Sequence, residues 1–247
     1  MRTSLGLVLF SCAFLGFRHG FDYDHIAAIA DIAGVQARVS ATMRLGLMYA
    51  LGHAATVAIL GSVVIGFKLA LPNGMDRWAE RLVGITLILL AAYVLSTLIR
   101  KKGREMPRSR AAMLIIGARW MHWRLHQWVT GAPGQRKKAQ SDVTASACFG
   151  IGVIHGLGAE TPSQLALFLL AVNLGGMGRG FLGLGFFLVG LLAMNTLMTA
   201  SAAGVFRVGE TWSGWYPVLT GLTAAYSMGI GVVFLGGYAS LLKNISV

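Results

Sequence analysis

The chain has 247 residues, of which 55% are hydrophobic and only 12% are charged, and its mean hydropathy is +0.67. Soluble domains carry about twice that share of charged residues, and disordered chains lack long apolar runs, so both classes are excluded. The two cysteines, Cys12 and Cys148, are too few for a disulfide framework or a paired-cysteine metal site. The composition predicts an all-α, polytopic transmembrane helix bundle, in which the net charge of +12 reflects membrane topology rather than nucleic-acid binding.

A helix that crosses a membrane needs about 20 mostly apolar residues. The clear candidates are Leu45–Leu71, Leu82–Ile99, Thr144–Val172, Gly180–Val205 and Val218–Leu242. The N-terminal stretch Leu5–Val35 has charged residues at its middle, and we interpret it as two short segments that meet at a polar break. This interpretation gives about seven spans, with six as the alternative count. A cleavable signal peptide over Met1–Gly16 is disfavoured because no small-x-small cleavage site follows it.

Basic residues are concentrated in residues 100–143, where 11 Lys and Arg face two acidic residues. Because Lys and Arg are retained on the cytoplasmic side, this loop is predicted to be cytoplasmic. It separates an N-terminal transmembrane half (1–99) from a C-terminal one (144–247). Interleaved Trp and Arg within the loop predict an interfacial helix. His122 and His126 on that helix are four residues apart and are a weak alternative metal pair.

Ionisable side chains are costly inside a bilayer, so they mark functional sites there. They gather at the polar break and in the span after it, and the candidate metal ligands are His19, Asp22, Asp24, His25 and His53. On a straight helix, Asp24 would lie about 140° from His19. A shared site therefore requires the helix to break, and the glycine after His19 favours such a break. Imidazole and carboxylate ligands suit Ni, Co, Zn or Cu. A structural His–Asp network is the alternative.

The break has a partial copy in the C-terminal half. The segment from His155 to Glu160 repeats the pattern of the segment from His19 to Asp24, since both have His, Gly and an acid at matching positions. Such internal similarity is typical of transporters built from two structural halves around a midplane site. We therefore expect two pseudo-repeat halves, with His155 and Glu160 on the translocation path.

These motifs resemble the nickel/cobalt transporter family of bacterial membrane permeases. The family hallmark Arg-His-Ala-x-Asp-Ala-Asp-His-Ile-x-Ala-Ile is closely matched by Arg18–Ile29. The Leu-Gly-His segment of the family is matched by Leu51–His53. Its later Phe-x-x-Gly-Met-x-x-x-Asp-Thr stretch is similar to Phe187–Thr196, so the resemblance touches most of the chain.

Three acidic positions of the family differ in this chain. Glu160 stands for an Asp, Asn195 stands for the later Asp, and the acid after the first motif is displaced by one position to Asp31. Fewer carboxylates lower the negative field that attracts a cation, so the chain resembles a divergent member. The resemblance implies that Glu160, His155 and Asn195 complete or relay the first cation site as the two halves rock.

The resemblance implies a multi-pass permease of the plasma (inner) membrane that takes up Ni²⁺ or Co²⁺. The metal is then the transported substrate and not a cofactor, and we expect neither a nucleic-acid partner nor an obligate protein partner. Export of a metal, or transport of a small anion, by the same architecture stays open. A membrane acyltransferase with a His-x4-Asp motif is less favoured, because the chain has no room for the soluble catalytic domain of those enzymes. We therefore predict a transporter and not an enzyme.

Overall fold

The computed structural model describes residues 2–36, 38–67, 75–100, 144–158, 176–211 and 215–238. Its seven described helices are α1 (Arg2–His19), α2 (Tyr23–Ala33), α3 (Val39–Phe67), α4 (Met75–Arg100), α5 (Ala145–His155), α6 (Met177–Thr211) and α7 (Trp215–Leu235). No strand occurs within these ranges. The predicted all-α class is confirmed.

Four of the described helices are long and apolar enough to cross a membrane, namely α3, α4, α6 and α7. The pair α1 and α2 forms one further candidate, bent by 56°. With 11 residues, α2 rises about 16 Å and is too short to cross the hydrocarbon core alone. The described part of the chain thus holds up to five spans, where the sequence predicted about seven. The predicted span Thr144–Val172 is described only as far as residue 158. Of the predicted basic loop 100–143, residue 100 ends α4 and residues 101–143 lie outside the described residues.

The polar break near the N-terminus is present between α1 and α2. The N–H of Gly20 donates to the carbonyl of Gly16 at 3.0 Å and closes the last turn of α1. Asp22 then adopts an extended conformation, with φ −70° and ψ 157°, before α2 begins. A Cβ atom on Gly20 would lie 2.8 Å from Cβ of Met194 on α6. Gly20 therefore lets the chain turn in close contact with α6.

Three pairs of the described helices approach each other through a glycine on each helix. In each pair, a Cβ atom added to a glycine of one helix would overlap the other helix, as is typical of close packing between membrane helices. The glycines are Gly16 and Gly190 for α1 with α6, Gly52 and Gly152 for α3 with α5, and Gly84 and Gly231 for α4 with α7. Each pair joins a helix of the N-terminal part to a helix of the C-terminal part.

The short helix α2 lies in the middle of the bundle, in contact with α3, α4, α5, α6 and α7. Hydrogen bonds from two tyrosines of α7 to the backbone of α2 show how the two helices run relative to each other. The hydroxyl of Tyr216 donates to the carbonyl of Gly34 at 2.6 Å, and that of Tyr226 donates to the carbonyl of Tyr23 at 3.4 Å. The two helices are therefore antiparallel, and the polar side chains of α2 are enclosed by protein.

Candidate metal centre

Three histidines from three helical segments converge at the break. His19 ends α1, His25 lies in the first turn of α2, and His53 lies near the middle of α3. One nitrogen of each ring lies within 4.8 Å of the other two. All three side chains are buried, with exposed fractions of 6%, 0% and 1%. We call these residues the three-histidine cluster.

The outer nitrogens of two rings are held by acceptors that fix the positions of their protons. Nδ1 of His19 donates to Oδ2 of Asp22 at 2.7 Å, and Nδ1 of His25 donates to the carbonyl oxygen of His19 at 2.8 Å. An ionised carboxylate and a carbonyl oxygen only accept, so each Nδ1 carries the proton and each neutral ring has a lone pair on Nε2. Metal-binding histidines are oriented in this way by carboxylate or carbonyl partners.

His53 bridges the other two rings. Its Nε2 lies 3.1 Å from Nε2 of His19, and its Nδ1 lies 3.2 Å from Nε2 of His25. A neutral His53 has one N–H and one lone pair, so it can donate to one neighbouring ring and offer one nitrogen to a cation. The two contacts use different nitrogens of His53, and one ion can bind only one of them, so the measure of a shared site is the group of one nitrogen per ring, whose members lie within 4.8 Å of one another.

The two predicted aspartates of the break lie in different places. Asp22 contacts the cluster through the ring of His19. Asp24 is buried but does not belong to the group of mutually close nitrogens and carboxylates. A Cβ atom on Gly158 would lie 3.9 Å from Oδ2 of Asp24, so this carboxylate lies beside the turn that follows α5. Asp22 is therefore placed to orient a ligand, while Asp24 contributes charge from the α5 side.

His155 lies next to the cluster and uses both of its ring nitrogens in hydrogen bonds. The hydroxyl of Thr86 donates to the carbonyl of Val83 at 2.7 Å, so its oxygen accepts the N–H of His155 Nε2 at 2.9 Å. Nδ1 of His155 then accepts the hydroxyl proton of Tyr49 at 3.1 Å. With both nitrogens engaged, His155 offers no lone pair to a cation. Sequence reasoning missed Tyr49 and Thr86, because neither differs in pattern from an ordinary residue of an apolar helix.

The remaining predicted path residues lie elsewhere. Asn195 on α6 is fully buried, and neither atom of its amide group has a hydrogen-bond partner among the described residues. Leu191, one turn earlier on α6, places its carbonyl oxygen 3.2 Å from a Cβ atom on Gly20. Asn195 is therefore one turn from the break. Glu160 lies outside the described residues.

The charge of the buried groups distinguishes between ligand classes. Among histidine and the charged residue types, the described buried side chains are histidines and aspartates, and no described lysine or arginine side chain is buried. Arg18 and Arg179, which would serve an anion at a helix entrance, are both exposed. The described interior is thus suited to a cation that accepts nitrogen lone pairs.

No protein-family profile and no solved structure matches the chain. Two relatives do. The cobalt transport protein NhlF of Rhodococcus rhodochrous is 28% identical over 168 residues, which are 64% of this chain and 47% of that protein. The urease accessory protein UreH of Bacillus sp. (strain TB-90) is 28% identical over 96 residues, which are 39% of this chain and 41% of that protein. The matched region spans less than half of either relative. These similarities, with the apolar helices, confirm the resemblance to the nickel/cobalt transporter family and indicate a multi-pass membrane protein.

Proposed function

We propose that this chain is a plasma-membrane permease for the uptake of divalent nickel or cobalt ions, with the three-histidine cluster as its cation site. The observation that carries the proposal is the convergence of three buried imidazole rings from three helical segments, with one nitrogen of each ring within 4.8 Å of the other two. The similarity to a relative named as a cobalt transport protein supports the same substrate class.

Neutral ligands suit a binding site inside a membrane. An empty site of imidazoles carries no charge of its own in the low-dielectric interior, so it avoids the desolvation cost of a permanent buried cluster of charges. When the cation arrives, the carboxylates of Asp22 and Asp24 offset its charge. Imidazole nitrogen is a poor ligand for Mg²⁺ and Ca²⁺, which require oxygen, so the abundant divalent cations are discriminated against by ligand type.

The broken helix gives this site a route to either side of the membrane. In many transporters, substrates bind where a helix is interrupted and two bundles rock around the site. The break between α1 and α2 has this character, because it lies among α3, α5 and α6. In this mechanism Asn195 and Glu160 complete or relay the cation site as the two halves rock.

The proposal is tested by radioactive nickel and cobalt accumulation in a bacterium that lacks its own transporters. Cells expressing the wild type should accumulate either metal above the empty-vector level, and His25→Ala should remove the increase. His122→Ala, which deletes a histidine of the basic loop, is the matched control and should retain it. Accumulation below the vector level would show export, and unchanged transport by His25→Ala would show that the cluster is not the cation site.

A further inference from the structure

The close contacts of α1 with α6 are repeated by α5 with α3. A Cβ atom on Gly16 would overlap the carbonyl oxygen of Phe187, and a Cβ atom on Gly152 would overlap that of Tyr49. Each of these glycines lies three positions before the histidine that ends its helix, His19 for α1 and His155 for α5. The two contacts thus occupy the same place relative to the end of the helix.

The reverse contacts of the same helices have the same spacing. A Cβ atom on Gly190 would overlap the carbonyl oxygen of Ala13, and one on Gly52 would overlap that of Phe149. Ala13 and Phe149 each lie three positions before the glycine of their own helix. Likewise, Gly190 and Gly52 each lie three positions after the residue whose carbonyl oxygen is approached, which is Phe187 on α6 and Tyr49 on α3. Four backbone contacts therefore obey one correspondence, in which α5 takes the place of α1 and α6 takes the place of α3.

The relation that exchanges α1 with α5 and α3 with α6 also exchanges α4 with α7, so the contact between α4 and α7 has the same form in both directions. A Cβ atom on Gly84 would lie 2.6 Å from the nitrogen of Leu235, and one on Gly231 would lie 3.0 Å from the nitrogen of Ile88. Ile88 lies four positions after Gly84, and Leu235 lies four positions after Gly231, so each helix presents the same two positions to the other. A pseudo-two-fold relation between the two halves produces this pattern of swapped and self-related pairs.

Under this relation, His155 is the counterpart of His19. Each ends a helix, and each ring lies against an aromatic ring of the corresponding helix. The ring centroids of His19 and Phe187 are 5.8 Å apart, and those of His155 and Tyr49 are 5.6 Å apart. The two histidines therefore occupy equivalent places in the two halves.

Three equivalent positions differ between the surroundings of His19 and those of His155, and two of these differences engage the ring nitrogens of His155. The first half has Asp22 to fix Nδ1 of its histidine, where the second half has glycine at position 158. Beside His155 lies Tyr49 of α3, which has a hydroxyl, whereas the equivalent residue beside His19 is Phe187 of α6, which has none. His155 also contacts the hydroxyl of Thr86, two positions after Gly84, where the equivalent position after Gly231 is Val233. Nε2 of His19 faces the other cluster rings, whereas both ring nitrogens of His155 are engaged in hydrogen bonds with hydroxyl groups.

We propose that His155 is a positioning residue. Tyr49 and Thr86 engage both of its ring nitrogens, so His155 does not bind a cation. Its hydrogen bond to the Tyr49 hydroxyl instead holds the Tyr49 ring against the cation site. The inference rests on the proposed function of the three-histidine cluster. The ring of Tyr49 is fully buried, and its centroid lies 6.2 Å from that of His25 and 6.5 Å from that of His53. Fixing the hydroxyl of Tyr49 thus limits the rotation of two cluster rings.

The test is a titration of the purified, metal-free protein with Co²⁺, whose visible absorption reports the number and geometry of its ligands. His155→Gln keeps one acceptor for Tyr49 and one donor for Thr86, so its spectrum and affinity should stay close to those of the wild type. His155→Leu and Tyr49→Phe should each weaken binding about tenfold, as is usual for residues that orient metal ligands. The double variant should be no weaker than either single variant, because both remove the same contact.

Other results would overturn the inference. If His155→Gln changes the spectrum as His19→Ala does, His155 is a ligand. If His155→Leu and Tyr49→Phe bind Co²⁺ as tightly as the wild type, or if their effects add, the positioning role is wrong while the cation site stands. A wild-type protein that binds neither Co²⁺ nor Ni²⁺ would overturn the proposed function and this role together. Thermal unfolding of each metal-free variant separates lost binding from lost folding.

Discussion

The clearest prediction concerns the two aspartates of the break, because the structure gives them different roles. Asp22 accepts the Nδ1 proton of His19 at 2.7 Å, and its side chain is 28% exposed. Asp22→Asn keeps an acceptor oxygen but removes its charge. A hydrogen bond to a charged partner is worth about 1.5–3 kcal/mol, and a neutral one about 0.5–1.5 kcal/mol. Because solvent screens a partly exposed group, we expect the lower end of the difference, about 1 kcal/mol.

A loss of about 1.4 kcal/mol is a tenfold change in affinity, so Asp22→Asn should raise the Kd for Co²⁺ by roughly five- to tenfold. The matched variant is Asp24→Asn, which removes one charge two residues away. Since the carboxylate of Asp24 lies beside Gly158 and is not among the mutually close ligand atoms of the cluster, this variant should leave the Co²⁺ spectrum unchanged. The assay is the same absorption titration.

The reasoning would be refuted if Asp24→Asn alters the spectrum and Asp22→Asn does not. That result would make Asp24 a direct ligand, as the first motif alone suggests, and would mean that the bound state reorients the start of α2.

Two further predictions concern packing and protonation. Gly152→Ala places a methyl group against the backbone of Tyr49, so it should destabilise the metal-free protein by about 1–3 kcal/mol in thermal unfolding. Gly185→Ala, where nothing lies within 4 Å, should be neutral or slightly stabilising, and equal losses in both variants would contradict the close approach of α3 and α5. Protons compete with the cation for the three imidazoles, so Co²⁺ binding should weaken as the pH falls from 7.5 to 5.5. Binding that is constant over this range would argue against histidine ligands.

Part of this architecture could be predicted because its signals are local. Apolar length and the shortage of charge determine the helical membrane class, and the polar residues around Gly20 mark the break. The proximity of His19, His25 and His53 could be inferred only with the help of a known motif, since His53 is 28 residues from His25. Once the chain breaks after His19, α3 brings the third ring to the other two.

Other features depend on tertiary contacts that the sequence does not encode locally. Asp22 and Asp24 are two residues apart, and the exact turn at the break determines which of them contacts His19. Tyr49 and Thr86 look like ordinary members of apolar helices, because a hydroxyl in such a segment often bonds its own backbone. Only the packing of α3 and α4 around α5 shows that both hydroxyls are directed at His155.

Under the proposed function, the engagement of both ring nitrogens of His155 leaves two similar halves with one cation site, the three-histidine cluster. An open His155 would present a lone pair near Asp24, whose carboxylate lies beside the turn after α5. A second cation there would share that carboxylate and repel the first. Because Tyr49 and Thr86 occupy both nitrogens of His155, the charge of Asp24 remains available to the three-histidine cluster. Transport requires a site that binds well enough to admit the ion and weakly enough to release it. In the proposed site, neutral ligands supply the binding and the flanking carboxylates supply the only permanent charge.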